Sequence, residues 1–271
     1  MFFLITNRTV NANGWTSDRN PNSNTFWSNL GQPLSPFSNW KMADREECLA
    51  LISGIGKPPL VWIHGFNNSP EKALGTLQAI AAGLGDSFTY IAYLWPSQAR
   101  EDLIGYQEDS KTVEASAPQI LDALKLFDNP TVIAHSRGNY AIQKALYQEW
   151  TQSAEKVIGA FISVAADVDN DILAQVGGQG LKNLVERALV LLTPKDGALI
   201  ASAEIHLGRL RLGLTGPDGP CPGNFVKQDC TELMKIDNVE LWLNHSAYFQ
   251  SPKVYELVGQ FLGGQAKAVG A

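Results

Sequence analysis

Short apolar runs rich in β-branched and aromatic residues recur along the chain. They do not alternate apolar with polar residues, and six stand out, over residues 2–6, 59–63, 88–94, 131–135, 157–164 and 188–193. Strands of a parallel sheet are covered on both faces and therefore need no polar alternation. These runs predict a mainly parallel central sheet.

Segments with helical spacing lie between the apolar runs. The first begins at Ser69-Pro70-Glu71, which supplies an N-cap residue, a proline for the first turn and an acid near the positive end of the helix dipole. Further helices are predicted over 110–127, after residue 136, within 170–187 and over 252–263. Strands that alternate with helices predict an α/β fold with helices on both faces of the sheet.

Two regions break this alternation. Residues 11–40 are rich in Asn, Ser and Pro but also hold five aromatic residues, in which disordered segments are poor. We interpret this region as an irregular but ordered loop that packs across the body of the protein, in preference to a loop that overhangs a site. Residues 213–235 form a second irregular loop region, and the last strand candidate follows over 235–243.

Length and composition change this picture little. A chain of 271 residues is long enough for one domain with a buried core, and no stretch is typical of a linker, so we expect a single domain over residues 1–271. With 45% hydrophobic and 18% charged residues, the chain is typical of a globular protein. The formal net charge of −6 disfavours nucleic acid and anionic membrane surfaces as partners.

The short apolar start and the small number of cysteines favour a cytoplasmic location. The apolar start, residues 1–5, is far shorter than the core of a signal peptide, and no apolar stretch approaches the roughly 20 residues that cross a bilayer. Three cysteines are a sparse set that fits a reducing cytoplasm, and no Cys/His spacing resembles a zinc site. We expect a cytoplasmic protein with no membrane span, metal or cofactor. A bridge between Cys221 and Cys230 is the less favoured alternative to free thiols.

The candidate chemistry centres on the sequence Ala134-His135-Ser136-Arg137-Gly138. It joins an apolar strand to a helical segment, and small residues two before and two after Ser136 allow the chain to turn sharply. Such a turn presents a serine hydroxyl at the carboxyl edge of the sheet, beside the positive end of a helix dipole. Ser136 is therefore the predicted nucleophile; a helix N-cap serine is the alternative reading.

A second strand supplies the predicted oxyanion hole. The run 60–63 ends in His64-Gly65, and glycine lets the following loop curl so that the Phe66 amide points into the site. The Arg137 amide, at the start of the next helix, is its predicted partner. Two such donors contribute several kcal/mol to a tetrahedral oxyanion.

The chain has four histidines, and their positions separate their roles. His245 follows the last strand candidate in a polar loop, where this chain order places a catalytic base. His64 is expected to support the oxyanion loop. His135 precedes the nucleophile on the tight turn and points away from it, and His206 lies in an apolar run typical of a structural histidine.

The acid of a triad must lie between the serine and the histidine, at the end of a strand. Asp196 meets this requirement and is favoured over Asp167, which also follows a strand. The cluster of Asp167, Asp169 and Asp171 lacks the glycine and downstream glutamate of a calcium loop, so we expect it to cap and form turns.

These motifs together resemble the α/β-hydrolase superfamily. More narrowly, the chain is similar to a mostly bacterial α/β-hydrolase family of unknown function in residues 62–68, 94–97, 134–139, 165–169 and 245–249. The resemblance implies a sheet of the eight-stranded type and a Ser-His-Asp triad. The chain departs from the pattern at Ala134, where the superfamily usually has glycine, and around the acid, where it has Lys195-Asp196-Gly197.

The predicted function is a serine hydrolase that cleaves small carboxylic esters through an acyl-enzyme. The short segment 97–110 excludes a large cap, so we expect little or no cap domain and a fairly open pocket for short to medium acyl chains, lined by Phe66, His64, Trp95 and Tyr248. The same triad would serve an amidase or a thioesterase. A catalytically idle fold that acts as a binding module is the third reading. No feature indicates an oligomeric state.

Overall fold

The computed structural model describes residues 1–236, 239–240 and 244–264. Its central sheet has nine strands: β1 (Phe2–Thr6), β4 (Thr25–Asn29), β5 (Lys41–Ala43), β6 (Pro59–Ile63), β7 (Thr89–Leu94), β8 (Thr131–His135), β9 (Ile158–Val164), β10 (Val185–Leu192) and β11 (Phe225–Asp229). Two small hairpins pair β2 (Arg8–Asn11) with β3 (Gly14–Arg19), and β12 (Lys235–Ile236) with β13 (Val239–Glu240).

The sheet runs in the order β11-β10-β9-β8-β6-β7-β1-β4-β5. The seven strands from β11 to β1 are parallel, whereas β4 and β5 join the far edge antiparallel. The mainly parallel sheet predicted from the unbroken apolar runs is thus confirmed. Strands β6 and β8 are neighbours, so the two strand ends that carry the candidate motifs lie side by side at the carboxyl edge.

In the part of the chain that the structure describes, eight α-helices accompany the sheet: α1 (Arg45–Ile55), α2 (Pro70–Leu84), α3 (Leu103–Leu124), α4 (Arg137–Trp150), α5 (Gln179–Leu184), α6 (Gly197–Ile205), α7 (Leu212–Thr215) and α8 (Pro252–Leu262). Buried residues of α1, α3, α4 and α5 pack on one face of the sheet, and those of α2, α6 and α8 pack on the other. The predicted covering of both faces is confirmed. No described segment forms a separate helical cap above the carboxyl edge.

The sequence placed several boundaries wrongly. Helix α3 begins at Leu103 rather than at residue 110, because Asp102 caps it: its carboxylate accepts the Gly105 amide at 2.7 Å. By contrast, the helix predicted within 170–187 is present as α5, and β10 follows it directly at Val185. Within the strand candidate 235–243, the described residues form the small β12–β13 hairpin, and residues 237–238 and 241–243 lie outside the described part.

The two regions taken as irregular loops contain strands. Residues 11–40 hold β3 and β4, and the antiparallel strands β4 and β5 bring the seven parallel strands to nine, one more than the expected eight. The aromatic residues of this region pack together: the Trp15 ring lies 5.4 Å from that of Trp27 and 4.6 Å from that of Phe37. Residues 213–235 hold β11, an edge strand of the main sheet.

The three cysteines, Cys48, Cys221 and Cys230, are free thiols. Across the described ranges, no cluster of three or more His, Cys, Asp or Glu side chains is arranged to hold a metal ion. Among these residues there is likewise no helix with the length and apolar character needed to cross a membrane.

Candidate active site

Ser136 occupies a strained turn between β8 and α4. Its φ of 53° and ψ of −123° lie in a region that residues other than glycine rarely adopt. The turn is held by hydrogen bonds: the Ser136 amide donates to the Val164 carbonyl at 3.0 Å, and the Asn139 side chain donates to the carbonyls of Ala134 at 3.0 Å and Ser136 at 3.2 Å. The sharp strand-to-helix turn expected from the sequence is present, with its serine at the apex.

Two glycines let three backbone segments meet at this turn. A Cβ atom on Gly65 would lie 2.7 Å from the Ser136 Cβ, and one on Gly138 would lie 2.7 Å from the Ile63 carbonyl oxygen. Neither contact could relax, because the neighbouring atoms belong to backbone or to the first side-chain carbon. Only glycine at both positions allows the loop after β6 to contact the nucleophile turn.

The two predicted oxyanion donors lie at this junction. Phe66 follows Gly65, and Arg137 is the first residue of α4. Within the described residues, neither amide donates a hydrogen bond to a protein acceptor. Backbone N–H groups at a helix start and in a tight loop are suited to bind a negatively charged oxygen.

The predicted acid and base are in direct contact. The Nδ1 atom of His245 lies 2.7 Å from Oδ2 of Asp196. Asp196 is fully buried, and its other oxygen, Oδ1, accepts the amides of Ala198 and Leu199 at 3.1 Å each, which caps α6. The carboxylate therefore holds one tautomer of His245, with the proton on Nδ1 and a lone pair on Nε2.

His135 connects this pair to the nucleophile turn. Its ring centroid lies 4.5 Å from that of His245, and its Nε2 donates to the His245 carbonyl at 3.0 Å. The His135 side chain therefore supports His245, the predicted base. No described residue hydrogen-bonds to the hydroxyl of Ser136; such catalytic contacts commonly tighten only when substrate binds.

Asp167, the rival acid, belongs to a different network. Its carboxylate accepts hydrogen bonds from Ser202 at 2.5 Å, Tyr106 at 2.7 Å and Arg211 Nε at 2.9 Å, and the Arg137 Nε lies 3.9 Å away. Burial opposes ionisation, but the charges of Arg137 and Arg211 hold the pKa of Asp167 below its ordinary value. Asp167 is thus a fully partnered structural carboxylate with no histidine bound to it.

The three other residues expected to line a pocket lie in the interior. His64 is fully buried, and its Nε2 lies 3.0 Å from the Trp95 carbonyl oxygen. Trp95 is also fully buried, stacks on the His64 ring at 4.8 Å and donates to the His64 carbonyl. Tyr248 is 1% exposed and packs in the core. The prediction that they line an open pocket was wrong; His64 and Trp95 brace the loop that leads to Phe66.

Two buried charged residues that the sequence did not reveal, Arg8 and Asp109, support the same loop. Arg8, on β2, is 2% exposed and donates to the carbonyls of Asn68 at 3.3 Å and Ser97 at 3.4 Å. Asp109, on α3, accepts the Ser97 hydroxyl at 2.5 Å and the Gln98 amide at 2.8 Å. The Ser97 hydroxyl in turn accepts the Asn68 amide at 3.2 Å. No local motif marks these residues, since they meet only through the fold.

Two buried histidines make the stability of the protein depend on pH. Burial, together with the charge of Arg8, lowers the pKa of His64 to about 3, and burial beside His245 lowers the pKa of His135 well below its usual range. Both stay neutral in the folded protein, while in the unfolded chain they take up protons below about pH 6.5.

The free energy of unfolding should therefore be fully retained above about pH 6.5 and fall as the pH decreases. With two protons taken up on unfolding, the slope approaches about 2.7 kcal/mol per pH unit. Urea unfolding at pH 7, 6 and 5 measures this slope, and the His64→Gln variant should lose about half of it. A free energy that stays constant from pH 7 to 5 contradicts the two neutral histidines.

Comparison with known proteins places this chain in a family. Residues 46–261 match the family described as "Alpha/beta hydrolase of unknown function (DUF900)", so the chain belongs to this α/β-hydrolase family. The resemblance drawn from the motifs is confirmed. A search of curated proteins finds no match.

Solved structures of esterases are similar in fold. One is Est1E from Butyrivibrio proteoclasticus with ferulic acid bound, at 13% identity and a TM-score of 0.44, over 77% of this chain and 90% of that one. Another is an esterase from Pyrobaculum calidifontis, at 14% identity and a TM-score of 0.39, over 77% of this chain and 76% of that one. Likeness at this level carries no argument about activity.

Proposed function

We propose that the protein is a serine hydrolase that cleaves carboxylic esters of short to medium acyl chains. The observation that carries the proposal is the 2.7 Å contact between His245 and the buried Asp196, beside the strained turn of Ser136. A positive φ at a serine has a cost that a purely structural turn would avoid, whereas a nucleophile gains from it an exposed position on a rigid support.

The reaction proceeds through an acyl-enzyme. His245 Nε2 takes the proton of Ser136 as Oγ attacks the ester carbonyl, and the amides of Phe66 and Arg137 donate to the resulting oxyanion. The tetrahedral intermediate collapses, and the imidazolium gives its proton to the departing alcohol. Water then attacks the acyl-enzyme by the same steps, and Asp196 stabilises the imidazolium each time.

A fluorophosphonate probe tests the nucleophile. The intact mass of the protein should rise by one adduct, mapped to the peptide that contains Ser136 and absent from the Ser136→Ala variant. An unlabelled but folded protein would favour an idle fold that acts as a binding module. A panel of aryl esters, amides and thioesters with matched acyl groups then measures the substrate class, and a preference for amides or thioesters would replace the ester assignment.

Arg8 gives a prediction about the oxyanion loop. In the Arg8→Met variant the aliphatic stem remains, but Asn68 and Ser97 lose their donor and Asp109 loses the nearby positive charge. We expect kcat for a soluble aryl ester to fall by about 100-fold, since small displacements of positioning groups cost that much, with KM changed little.

The matched control is Arg19→Met. Arg19 pairs with Arg8 across the β2–β3 hairpin but donates to Gln119, away from the loop. Its kcat should stay within about twofold of the original, as expected for a surface change remote from the site. Equal losses in both variants would show that hairpin stability, rather than the loop contact, sets the rate.

A further inference from the structure

Exposed large apolar side chains are concentrated in two short segments. Eleven such residues are exposed among those described, and six of them lie in 103–104 and 200–210: Leu103, Ile104, Ile200, Ile205, Leu207 and Leu210. Exposed apolar residues scattered singly are ordinary, but a contiguous group marks a surface that contacts something apolar.

Helix α6 and the turn after it are unusual for a surface element. The helix sequence, GALIASAEI, has a single charged residue, although its residues Ile200, Ala201 and Ile205 face solvent. A helix that is apolar on all sides is normally buried. Leu207 follows with a φ of 60° and 96% of its surface exposed, so the chain presents a leucine at the tip of a turn where glycine or asparagine is usual.

The two segments meet beside the candidate site. The Tyr106 hydroxyl lies 3.4 Å from that of Ser202, and the Tyr106 ring lies 5.9 Å from that of His206. These contacts join the first turn of α3 to the end of α6, so the residues that flank them form what we call the apolar rim: Leu103, Ile104, Ile205 and Leu207.

The rim lies at the carboxyl edge of the sheet, as Ser136 does. Tyr106 packs edge-on against Phe66 at 5.3 Å. The end of the rim on α3 therefore lies beside the predicted oxyanion loop, while its other end lies at the C-terminus of α6, the helix whose N-cap is the predicted acid Asp196.

The charges around the rim do not suit an anionic partner. The two exposed arginines beside the rim already form ion pairs, Arg100 with Asp102 at 2.7 Å and Arg209 with Asp169. The exposed charged residues of 100–108 and 195–210 are three cations, Arg100, Lys195 and Arg209, and four acids, Glu101, Asp102, Glu108 and Glu204. This near balance gives an anionic surface no net attraction, whereas an uncharged or zwitterionic apolar surface fits it.

We propose that the apolar rim docks on aggregated neutral or zwitterionic lipid, so that the enzyme takes ester substrates from a lipid surface. This inference rests on the proposed function for its substrate, but docking itself does not require catalysis. Burial of four aliphatic side chains supplies the attraction. A second copy of the chain is the competing occupant.

Docking is measured by flotation of the full chain with phosphatidylcholine vesicles, with the Ser136→Ala variant so that binding is separated from turnover. The Ile104→Asp and Leu207→Asp changes should each reduce the bound fraction by about tenfold, the value of one well-buried leucine. The matched control is Val176→Asp, since Val176 is 64% exposed but lies outside the rim, and it should bind as before. Far-UV circular dichroism checks that all variants fold.

A second measurement ties docking to turnover. In the protein with Ser136 intact, the rate of hydrolysis of an aryl ester should rise sharply when the ester concentration exceeds its critical micellar concentration. Leu207→Asp should abolish this rise without changing the rate on monomeric substrate. If the unmodified protein does not hydrolyse monomeric ester, the proposed hydrolase function is rejected. Vesicle binding would still test the docking of the rim.

Three results would overturn the proposal that the rim docks on neutral lipid. The first two are failure of the protein with an unsubstituted rim to bind phosphatidylcholine vesicles, and equal binding of the rim variants and Val176→Asp. The third such result is stronger binding when anionic lipid is added. Light scattering that shows a dimer, converted to monomer by Leu207→Asp, would assign the rim to a second copy of the chain.

Discussion

The Ser136→Ala variant should lose turnover by about 10⁴- to 10⁶-fold while remaining as stable as the original protein. Removal of the nucleophile leaves only binding and oxyanion stabilisation, which accounts for the size of the loss. Because no described residue hydrogen-bonds to the hydroxyl, its removal leaves no buried partner unsatisfied, and the free energy of unfolding should change by less than about 1 kcal/mol.

Two further serine variants separate activity from stability. Ser136→Gly should be equally inactive but more stable by about 1 kcal/mol, since glycine adopts the φ of 53° without strain. Ser163→Ala is the matched control, because Ser163 is buried on β9 with an unpartnered hydroxyl, and it should retain full activity. Steady-state kinetics and urea unfolding measure both effects. Activity that survives in Ser136→Ala would place the nucleophile elsewhere.

Substitution of the two candidate acids should give opposite results. In Asp196→Asn the amide can still cap α6, since asparagine is as good an N-cap as aspartate, so stability should change little. However, His245 Nδ1 would face a side chain that can donate, and the ring would adopt the wrong tautomer. We expect kcat to fall by about 10⁴-fold with KM nearly unchanged.

Asp167→Asn should act on folding instead. The change removes the counter-charge that the buried guanidinium groups of Arg137 and Arg211 share and leaves Arg211 paired with Asp169 alone. We therefore expect the free energy of unfolding to fall by about 3 kcal/mol, the lower end of the cost of breaking a buried pair. The folded fraction should turn over at nearly the original rate, measured at a temperature well below the unfolding transition. Loss of kcat in Asp167→Asn together with normal kcat in Asp196→Asn would transfer the role of the acid to Asp167.

The sequence predicted the parts of this fold that depend on local pattern. Strands β1, β6 and β8 were located to the residue, because buried parallel strands are unbroken apolar runs between turn residues. The turn at Ser136 could also be predicted from the sequence, because a sharp strand-to-helix turn requires small residues on both sides of the serine. The contact of His245 with Asp196 followed from chain order in this class of fold, not from either residue alone.

The missed elements depend on contacts between distant parts of the chain. Strand β4 carries polar residues at three of its five positions and lies next to the edge strand β5, so 25–29 does not resemble an unbroken apolar strand. Trp95 directly follows strand β7, and Tyr248 lies three residues after His245, but both side chains pack into the core. The Arg8 contacts with Asn68 and Ser97 span 60 and 89 residues, and no local spacing encodes such a pair.

Asp196 divides its two oxygens between two tasks, and this restricts how the protein can be re-engineered. Oδ2 holds the imidazole while Oδ1 anchors the first turn of α6. A longer carboxylate could not reach both sets of donors from one backbone position. Any redesign of the site for other substrates must therefore leave residues 196–199 unchanged.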